Sequence, residues 1–354
     1  MLSCLLLALV HQGSSTFPAL TPWAEMACPF HHPGPPSDLV FVPGIGALPI
    51  SDGEAHGPSF GVWINTASLN LFYVPERDLL GMNGGGVHVA CRRAYRSELA
   101  EQGKHSPGMP DGWIHEFDVY IPYVTADTWQ PLEIVWPSGA RQRIEPELAD
   151  GKPTGKFSSS KGSPFVVRGV AGRDVNDWQS IRLQWAGGAF WVFAPHECGV
   201  MVLREIGTEQ SIAHHSKFLY TKDRQLGEIR YFGDDKMFMQ FTYGDDGLMT
   251  SVKNQLGDHV DFGYAPVDDE PGAPMELMTV TGIASDGKAA PIYTTYGYHL
   301  WKGFPLMTAI SIPSPADNGK AKATSQVFYK SGEVTKVQDA DGNSTEFTRE
   351  VGGG

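Results

Sequence analysis

The triplet Leu-Met-Thr begins at residue 248, again at 277 and again at 306, so it recurs at even intervals of 29. Such a repeat constrains a chain strongly, because equivalent segments form equivalent units that must stack on one another. A looser copy, Glu333-Val334-Thr335-Lys336-Val337, parallels Leu248-Met249-Thr250-Ser251-Val252. Two copies align at greater length: Tyr243, Gly247, Val252, Gly257 and Phe262 against Tyr329, Gly332, Val337, Gly342 and Phe347. Counted from each first glycine, the later positions fall at +5, +10 and +15 in both. A partial earlier copy runs through Tyr220, Gly227, Ile229, Phe232, Phe241 and Tyr243.

The unit reads as a β-hairpin. Glycines beside Asp or Asn, as in Asp245-Asp246-Gly247 and Asp341-Gly342-Asn343, supply the positive-φ corner of a tight turn. Val252 and Phe262 lie symmetrically about Gly257, and Val337 and Phe347 about Gly342. Each pair is therefore expected to face across its hairpin and share one apolar face. Met249 and Val334 precede those valines by an odd step, which in a flat strand turns them to the other face. A bulge, or burial of both faces, is required. One hairpin cannot bury its apolar side alone. Neighbouring hairpins must pair edge to edge, in a sheet that curls as its twist accumulates.

The rest of the chain has the same texture from about Phe60 onward. Short apolar-aromatic runs such as Leu69-Asn70-Leu71-Phe72-Tyr73-Val74, Glu116-Phe117-Asp118-Val119-Tyr120-Ile121 and Ala189-Phe190-Trp191-Val192-Phe193 are broken by turns. Several alternate with period two, and no fifteen-residue stretch carries a helical stripe. The expected class is all-β: antiparallel hairpin repeats in a curled arc, preceded by an N-terminal β-rich module. Residues 1–59 read as a tail and a Pro/Gly-rich lead-in, 60–205 as the β-rich module, and 206–354 as the hairpin repeats. With 27 Lys+Arg against 40 Asp+Glu the net charge is −13, which disfavours nucleic acid and anionic membrane surfaces. The apolar run Leu5 to Val10 is too short to span a bilayer and has no basic segment before it. The four cysteines, Cys4, Cys28, Cys91 and Cys198, fit neither a zinc site nor a disulfide scaffold.

The repeat, Tyr-x-x-x-Gly-apolar-x-x-x-Val-x-x-x-x-Gly-x-x-x-x-Phe, resembles the YD repeat of RHS proteins, a bacterial toxin-shell family related to teneurins and insecticidal toxin-complex cages. The resemblance extends upstream. Asn65-Thr66-Ala67-Ser68-Leu69-Asn70-Leu71 is similar to the "N-x-A-T-G-N-L" that precedes RHS repeats, with Leu69 at the usual glycine. Arg93-Ala94-Tyr95-Arg96-Ser97 is similar to "R-x-Y-N-S", and Gly108 to Asp118 to "G-x-G-W-S-H-N-Y-D", with Trp113, His115 and Asp118 at its marked positions. Trp136 to Ile144 resembles the following "D-G-R-x-x-x-F" hairpin. Together these segments span roughly residues 60 to 350. The resemblance implies a shell wall that sequesters a polypeptide cargo, often a toxin, with more repeats in a longer natural chain. It also implies export in preference to permanent residence in the cytoplasm.

No reactive constellation competes with that reading. His115 and Asp118 are an odd step apart, so a strand sends them to opposite faces, and packing beside Trp113 and Phe117 is the expected role. His214 and His215 diverge for the same reason. Cys28-x-x-His31-His32 lacks a second half-site, and Gly44-Ile45-Gly46 and Gly84-Gly85-Gly86 lack the strand–helix context of a phosphate loop. The Asp-rich turns at 234–235, 245–246 and 268–270 read as solvated tips in preference to Ca²⁺ sites. The expectation is a non-enzymatic protein with no cofactor or metal. Its partners would be polypeptide cargo or further repeats, or, in the rival reading, cell-surface glycans stacked on exposed tryptophans.

Overall fold

The computed structural model describes short strands between residues 39 and 56 and most of residues 62–348. Segments 1–38, 123–130, 172–177, 268–271, 284–291, 312–322 and 349–354, with shorter stretches between strands, lie outside the described residues. Cys4, Cys28, His31, Cys91 and the Asp268–Glu270 turn fall there, as does the His214 side chain.

Strands β1 (Leu39–Val42) and β2 (Gly46–Pro49) form a separate hairpin. A meander of β3 (Glu54–His56), β4 (Val62–Asn65) and β5 (Leu71–Tyr73) follows, then a second hairpin, β6 (Gly81–Gly84) with β7 (Val87–Ala90). Next come β8 (Arg93–Arg96), a short helix α1 (Ser97–Glu101) and β9 (Trp113–His115). They complete a five-stranded antiparallel sheet in the order β3-β4-β5-β8-β9. Its residues 62–118 are called the N-terminal module below.

From Tyr120 the chain runs into one sheet of 19 strands in sequence order, all neighbours antiparallel. The first are β10 (Tyr120–Pro122), β11 (Leu132–Val135), β12 (Arg141–Ala149) and β13 (Lys152–Ser159). β14 (Phe165–Ala171), β15 (Trp178–Trp185), β16 (Ala189–Pro195) and β17 (Val200–Thr208) follow. β10 also pairs with the first half of β17, Tyr120 opposite Val202 and Pro122 opposite Val200, so β10 to β17 close into a barrel. A ring of about eight strands leaves an interior that side chains alone fill. Here aromatics fill it: Trp185 and Trp191 meet at 5.3 Å, Trp136 and Trp191 at 6.0 Å, and Phe157 and Trp178 at 5.0 Å between ring centres.

The second half of β17 hands the sheet on to β18 (Ser211–Tyr220), so the ribbon continues beyond the closed ring. It runs through β19 (Leu226–Tyr231), β20 (Met237–Tyr243), β21 (Met249–Asn254), β22 (His259–Pro266) and β23 (Met275–Ile283). It ends with β24 (Ile292–Trp301), β25 (Phe304–Ser311), β26 (Ala323–Lys330), β27 (Glu333–Asp339) and β28 (Ser344–Glu346). The fold is an all-β antiparallel hairpin sheet, curled and in part closed. The sheet is continuous across residue 206, where the repeats were expected to begin.

The ribbon hairpins follow one plan. Gly247, Gly257, Gly332 and Gly342 hold the turns with φ of 80°, 90°, 87° and 88°, a region costly to side chains with a Cβ. Two of these turns share a side-chain brace with its members exchanged. The Asn254 Oδ1 accepts from the amides of Leu256 and Asp258 while its Nδ2 donates to Asp258 Oδ2 at 3.1 Å. The Asp339 Oδ1 accepts from Asp341 and Asn343, and Asn343 Nδ2 donates to Asp339 Oδ2 at 2.9 Å.

That brace corrects the expected cross-strand register. Asn254 and Asp258 close the first turn and Asp339 and Asn343 the second, so each is centred one residue before its glycine. Val252 consequently faces Val260, not Phe262, and Val337 faces Thr345, not Phe347. Phe262 and Phe347 are displaced diagonally by two positions, which keeps them buried with the valines on one face.

Candidate functional site: the face that holds the N-terminal module

Each hairpin from β18 to β27 carries a tyrosine on the even strand opposite an apolar residue on the odd strand. The pairs are Tyr220–Leu226, Tyr243–Met249, Tyr264–Leu277, Tyr298–Met307 and Tyr329–Val334. At every one the register slips by one residue, leaving Gly227, Thr250, Met278, Thr308 and Thr335 as the extra, bulged residues. The bulge resolves the odd step between Met249 and Val252, both of which are buried. Thr250 and Thr335 use their freed hydroxyls in the same way, donating to the carbonyls of Thr242 and Phe328 at 3.2 Å. The Leu-Met-Thr triplets are not in one structural register. Met249 and Met307 face tyrosines, but in the middle copy Leu277 does and Met278 is bulged.

A bulge frees backbone groups that must be satisfied when buried. The carbonyls are taken by the tyrosine of the next strand. Tyr243 donates to Leu226 O at 2.8 Å, Tyr264 to Met249 O at 2.6 Å, Tyr298 to Leu277 O at 3.0 Å and Tyr329 to Met307 O at 2.9 Å. Three of the amides are taken by the N-terminal module. Met249 N–H donates to Gly108 O at 2.7 Å and Val334 N–H to Leu69 O at 2.8 Å, while Met307 N–H reaches the Tyr95 hydroxyl at 3.2 Å.

The module spans this row of sites. Phe117 packs on Phe218 of β18 at 5.2 Å, and Leu69 reaches Val334 of β27. At ~4.8 Å per strand a flat sheet spreads β18 to β27 over about 43 Å, so the ribbon wraps concavely around one small body. The concave face of the ribbon is occupied here by the chain's own module.

Three adjacent side chains of β8 and β9 carry the central contact. Trp113, opposite Tyr95 in its own sheet, donates its indole N–H to the Tyr298 hydroxyl at 2.9 Å. Tyr95 donates to Pro305 O at 2.8 Å. Arg93 is buried, donates to the Tyr296 hydroxyl at 2.9 Å, and lies over the rings of Trp113 at 4.6 Å and Phe262 at 5.3 Å. A desolvated cation on such faces is worth ~2 kcal/mol. Desolvation raises the hydroxyl pKa of Tyr95, Tyr298 and Tyr329 well above the ordinary value, so they remain neutral donors.

His115 and Asp118 are not joined to each other. His115 is buried beside Phe117, with rings 6.4 Å apart, and its ring nitrogens have no hydrogen-bond partner beyond a weak approach to the Pro107 backbone. Burial holds its imidazole below the ordinary value despite the upward pull of Asp118. Asp118 instead pairs with Arg224 at 3.2 Å, whose guanidinium covers the Tyr120 ring at 4.1 Å. His215 pairs with Glu205 at 2.7 Å. His196 and Cys198 share a turn, Nδ1 to Sγ 2.9 Å. Among the described residues no group of three or more His, Cys, Asp and Glu is placed to hold a metal ion.

The repeat frame missed Tyr264, Tyr296, Tyr298 and Glu276. Tyr264 and Tyr298 had a signal, since each ends an aromatic run on the strand just before a Leu-Met-Thr triplet. Glu276 had none, because nothing local marks a carboxyl that becomes fully buried.

The chain matches no family model and no curated protein. Among solved structures it is similar to a chain of the Photorhabdus luminescens Tc holotoxin pore, with 13% identity over 84% of this chain and 17% of that one, at a TM-score of 0.36. It is also similar to TcdB2-TccC3 without its hypervariable C-terminal region (15% identity, 88% and 17% covered, TM-score 0.23) and to TcdB2-TccC3-TEV (11%, 87% and 19%, 0.28). The chain spans less than a fifth of each. No helix among the described residues is long and apolar enough to cross a membrane.

Proposed function

We propose that this chain is a non-catalytic wall segment of an RHS-type β-shell, whose concave face holds polypeptide and, in a longer assembly, a polypeptide cargo. The observation that carries this reading is the use of bulge amides as sockets: Met249, Met307 and Val334 each direct an N–H to the seated N-terminal module. Two of these three acceptors are main-chain carbonyls, a chemistry that any polypeptide can present. The closed ring of β10 to β17 protects one side of the sheet from edge pairing, which suits a wall. The Trp113-to-Asp118 segment serves as the staple of the seated module, with no bond-making role.

The glycan reading requires exposed indoles. Among the described residues Trp113, Trp136, Trp178, Trp185 and Trp191 are buried and present no ring to a sugar, while Trp301 is half-buried with Lys302 over its ring at 4.2 Å.

The test is protection of a tethered polypeptide. An unfolded reporter fused after residue 354 of the full chain is exposed to a nonspecific protease, and its half-life compared with the free reporter. A several-fold longer half-life supports enclosure. Equal half-lives with an intact wall refute it.

A further inference from the structure

Beside Leu277 on the ribbon lies a fully buried carboxyl, within electrostatic reach of Asp111 and Tyr95 of the module. Glu276 of β23 is 0% exposed, and its carboxyl oxygens have no hydrogen-bond partner beyond a weak approach of the adjacent Leu277 amide. It pairs with Ala265 of β22 in the ladder and precedes Leu277, whose carbonyl holds Tyr298. The titratable groups acting on it come from both bodies: Asp111 and Tyr95 from the N-terminal module, Tyr298 from β24 and Tyr264 from β22. Arg93 also acts on Tyr264, but its guanidinium is engaged by Tyr296 and the rings of Trp113 and Phe262.

We propose that seating the N-terminal module takes up one proton at Glu276, making the module a pH-dependent latch that is held while this carboxyl is neutral and loosened as alkali removes its proton. The proposal stands on the docking geometry and does not require that a cargo exist.

Burial first, and then the Asp111 charge, push the carboxyl up to about 9, against a smaller downward pull from the Leu277 amide. Once the module lifts away, the carboxyl meets water and ionises near its ordinary value of 4.5. Between these values the seated state carries a proton that the lifted state lacks. Docking is therefore undiminished below about 4.5, weakens roughly tenfold per pH unit, and levels off above about 9. His115 opposes this on the acid side, with Asp118 and Arg224 as the charges facing it. Its imidazole is neutral when seated and protonates below its ordinary 6.5 when released. The two proton uptakes offset one another below about 6.5, so the net profile is nearly level there and falls from 6.5 toward 9.

The bulge amides report the latch directly, because those of Met249, Met307 and Val334 donate to the module and not to the sheet. Hydrogen exchange of the full chain would be followed at pH 6.5, 7.5 and 8.5, with rates corrected for base-catalysed intrinsic exchange. The opening constant at Met307 and Val334 is expected to rise about tenfold per pH unit, while ladder amides such as that of Val280 stay level. Glu276→Gln should abolish the rise. Should that variant fail to fold, Asp111→Asn keeps the carboxyl and removes the neighbouring charge, and its rise should level off at lower pH than in the wild type. A wild-type opening constant independent of pH, or an undiminished slope in Glu276→Gln, would overturn the latch. So would an Asp111→Asn profile that superimposes on the wild type.

Discussion

The Tyr298 hydroxyl accepts a hydrogen bond from the Trp113 indole at 2.9 Å and donates its own proton to the Leu277 carbonyl at 3.0 Å. One oxygen thereby joins two sheets that are 185 residues apart in the chain. Tyr243, Tyr264 and Tyr329 donate the same bond to a carbonyl on the preceding odd strand, whereas Tyr220 donates to the Phe117 carbonyl of the N-terminal module at 3.5 Å.

This difference predicts unequal costs for removing a hydroxyl. Tyr298→Phe strands both the Trp113 N–H and the Leu277 carbonyl in a buried site and should destabilise by about 2–6 kcal/mol, at about 1–3 kcal/mol per orphaned group. Tyr243→Phe strands the one Leu226 carbonyl that its hydroxyl holds and should cost about 1–3 kcal/mol. Urea denaturation of the full chain measures both, and equal midpoints for the two variants would remove the special role of Tyr298.

Thr250 exists in the ladder as an extra residue, and deleting it restores continuous alternation. Met249 would then lie two positions from Val252, on the same face and still opposite Tyr243, as an ordinary ladder residue. The deletion should keep Met249 buried but lose the bulge that aims its amide at Gly108 O, costing about 1–3 kcal/mol. Thr335→Val, which keeps the bulge and loses only the bond to Phe328 O, should cost about 1 kcal/mol. A deletion variant as stable as the wild type would show that the bulge is not what holds the Met249 amide on the module.

Leu69 stands where the resembling family places glycine, and its φ is 55°, in the left-handed region. Leu69→Gly relieves about 1–2 kcal/mol of strain. It also empties a site where the leucine is 4% exposed, at about 2–5 kcal/mol. Burial outweighs strain, so the variant should be less stable by roughly 1–3 kcal/mol, read from thermal melting. A stabilised Leu69→Gly would mean that this leucine packs against little.

His115 gives an acid-side signature of its own. Its folded value lies below the ordinary 6.5, so the unfolded chain binds the proton first. Its contribution to stability is complete above about 6.5 and is lost as pH falls below it, until the folded imidazole also protonates. His115→Phe preserves the ring volume and removes this loss, so the variant should gain stability relative to the wild type as pH falls from about 6.5 to about 5. Parallel profiles for the two proteins would refute the assignment.

Part of this was legible locally. The turns at Gly247, Gly257, Gly332 and Gly342 follow from residues that tolerate positive φ, and the need for a bulge follows from the odd step between Met249 and Val252. The register was not legible. A side-chain brace between Asn254 and Asp258 displaced each turn centre by one residue, and amide–carboxylate pairing leaves no periodic trace in sequence. The even spacing of Leu-Met-Thr was also a poor guide to equivalence, because Leu277 occupies the place that Met249 and Met307 take elsewhere. Either apolar side chain fills that place, so packing did not force the letters into line.

Sequence alone determined that this chain is a succession of antiparallel hairpins, since turn stereochemistry and strand alternation act over a few residues. Only the tertiary structure decided what lies against the hairpin face. Arg93, Tyr95 and Trp113 meet Tyr296, Tyr298 and Met307 about two hundred residues away. The physical reason is that buried bulge amides must find acceptors, and the nearest acceptors in space belong to a segment that no local rule connects to them.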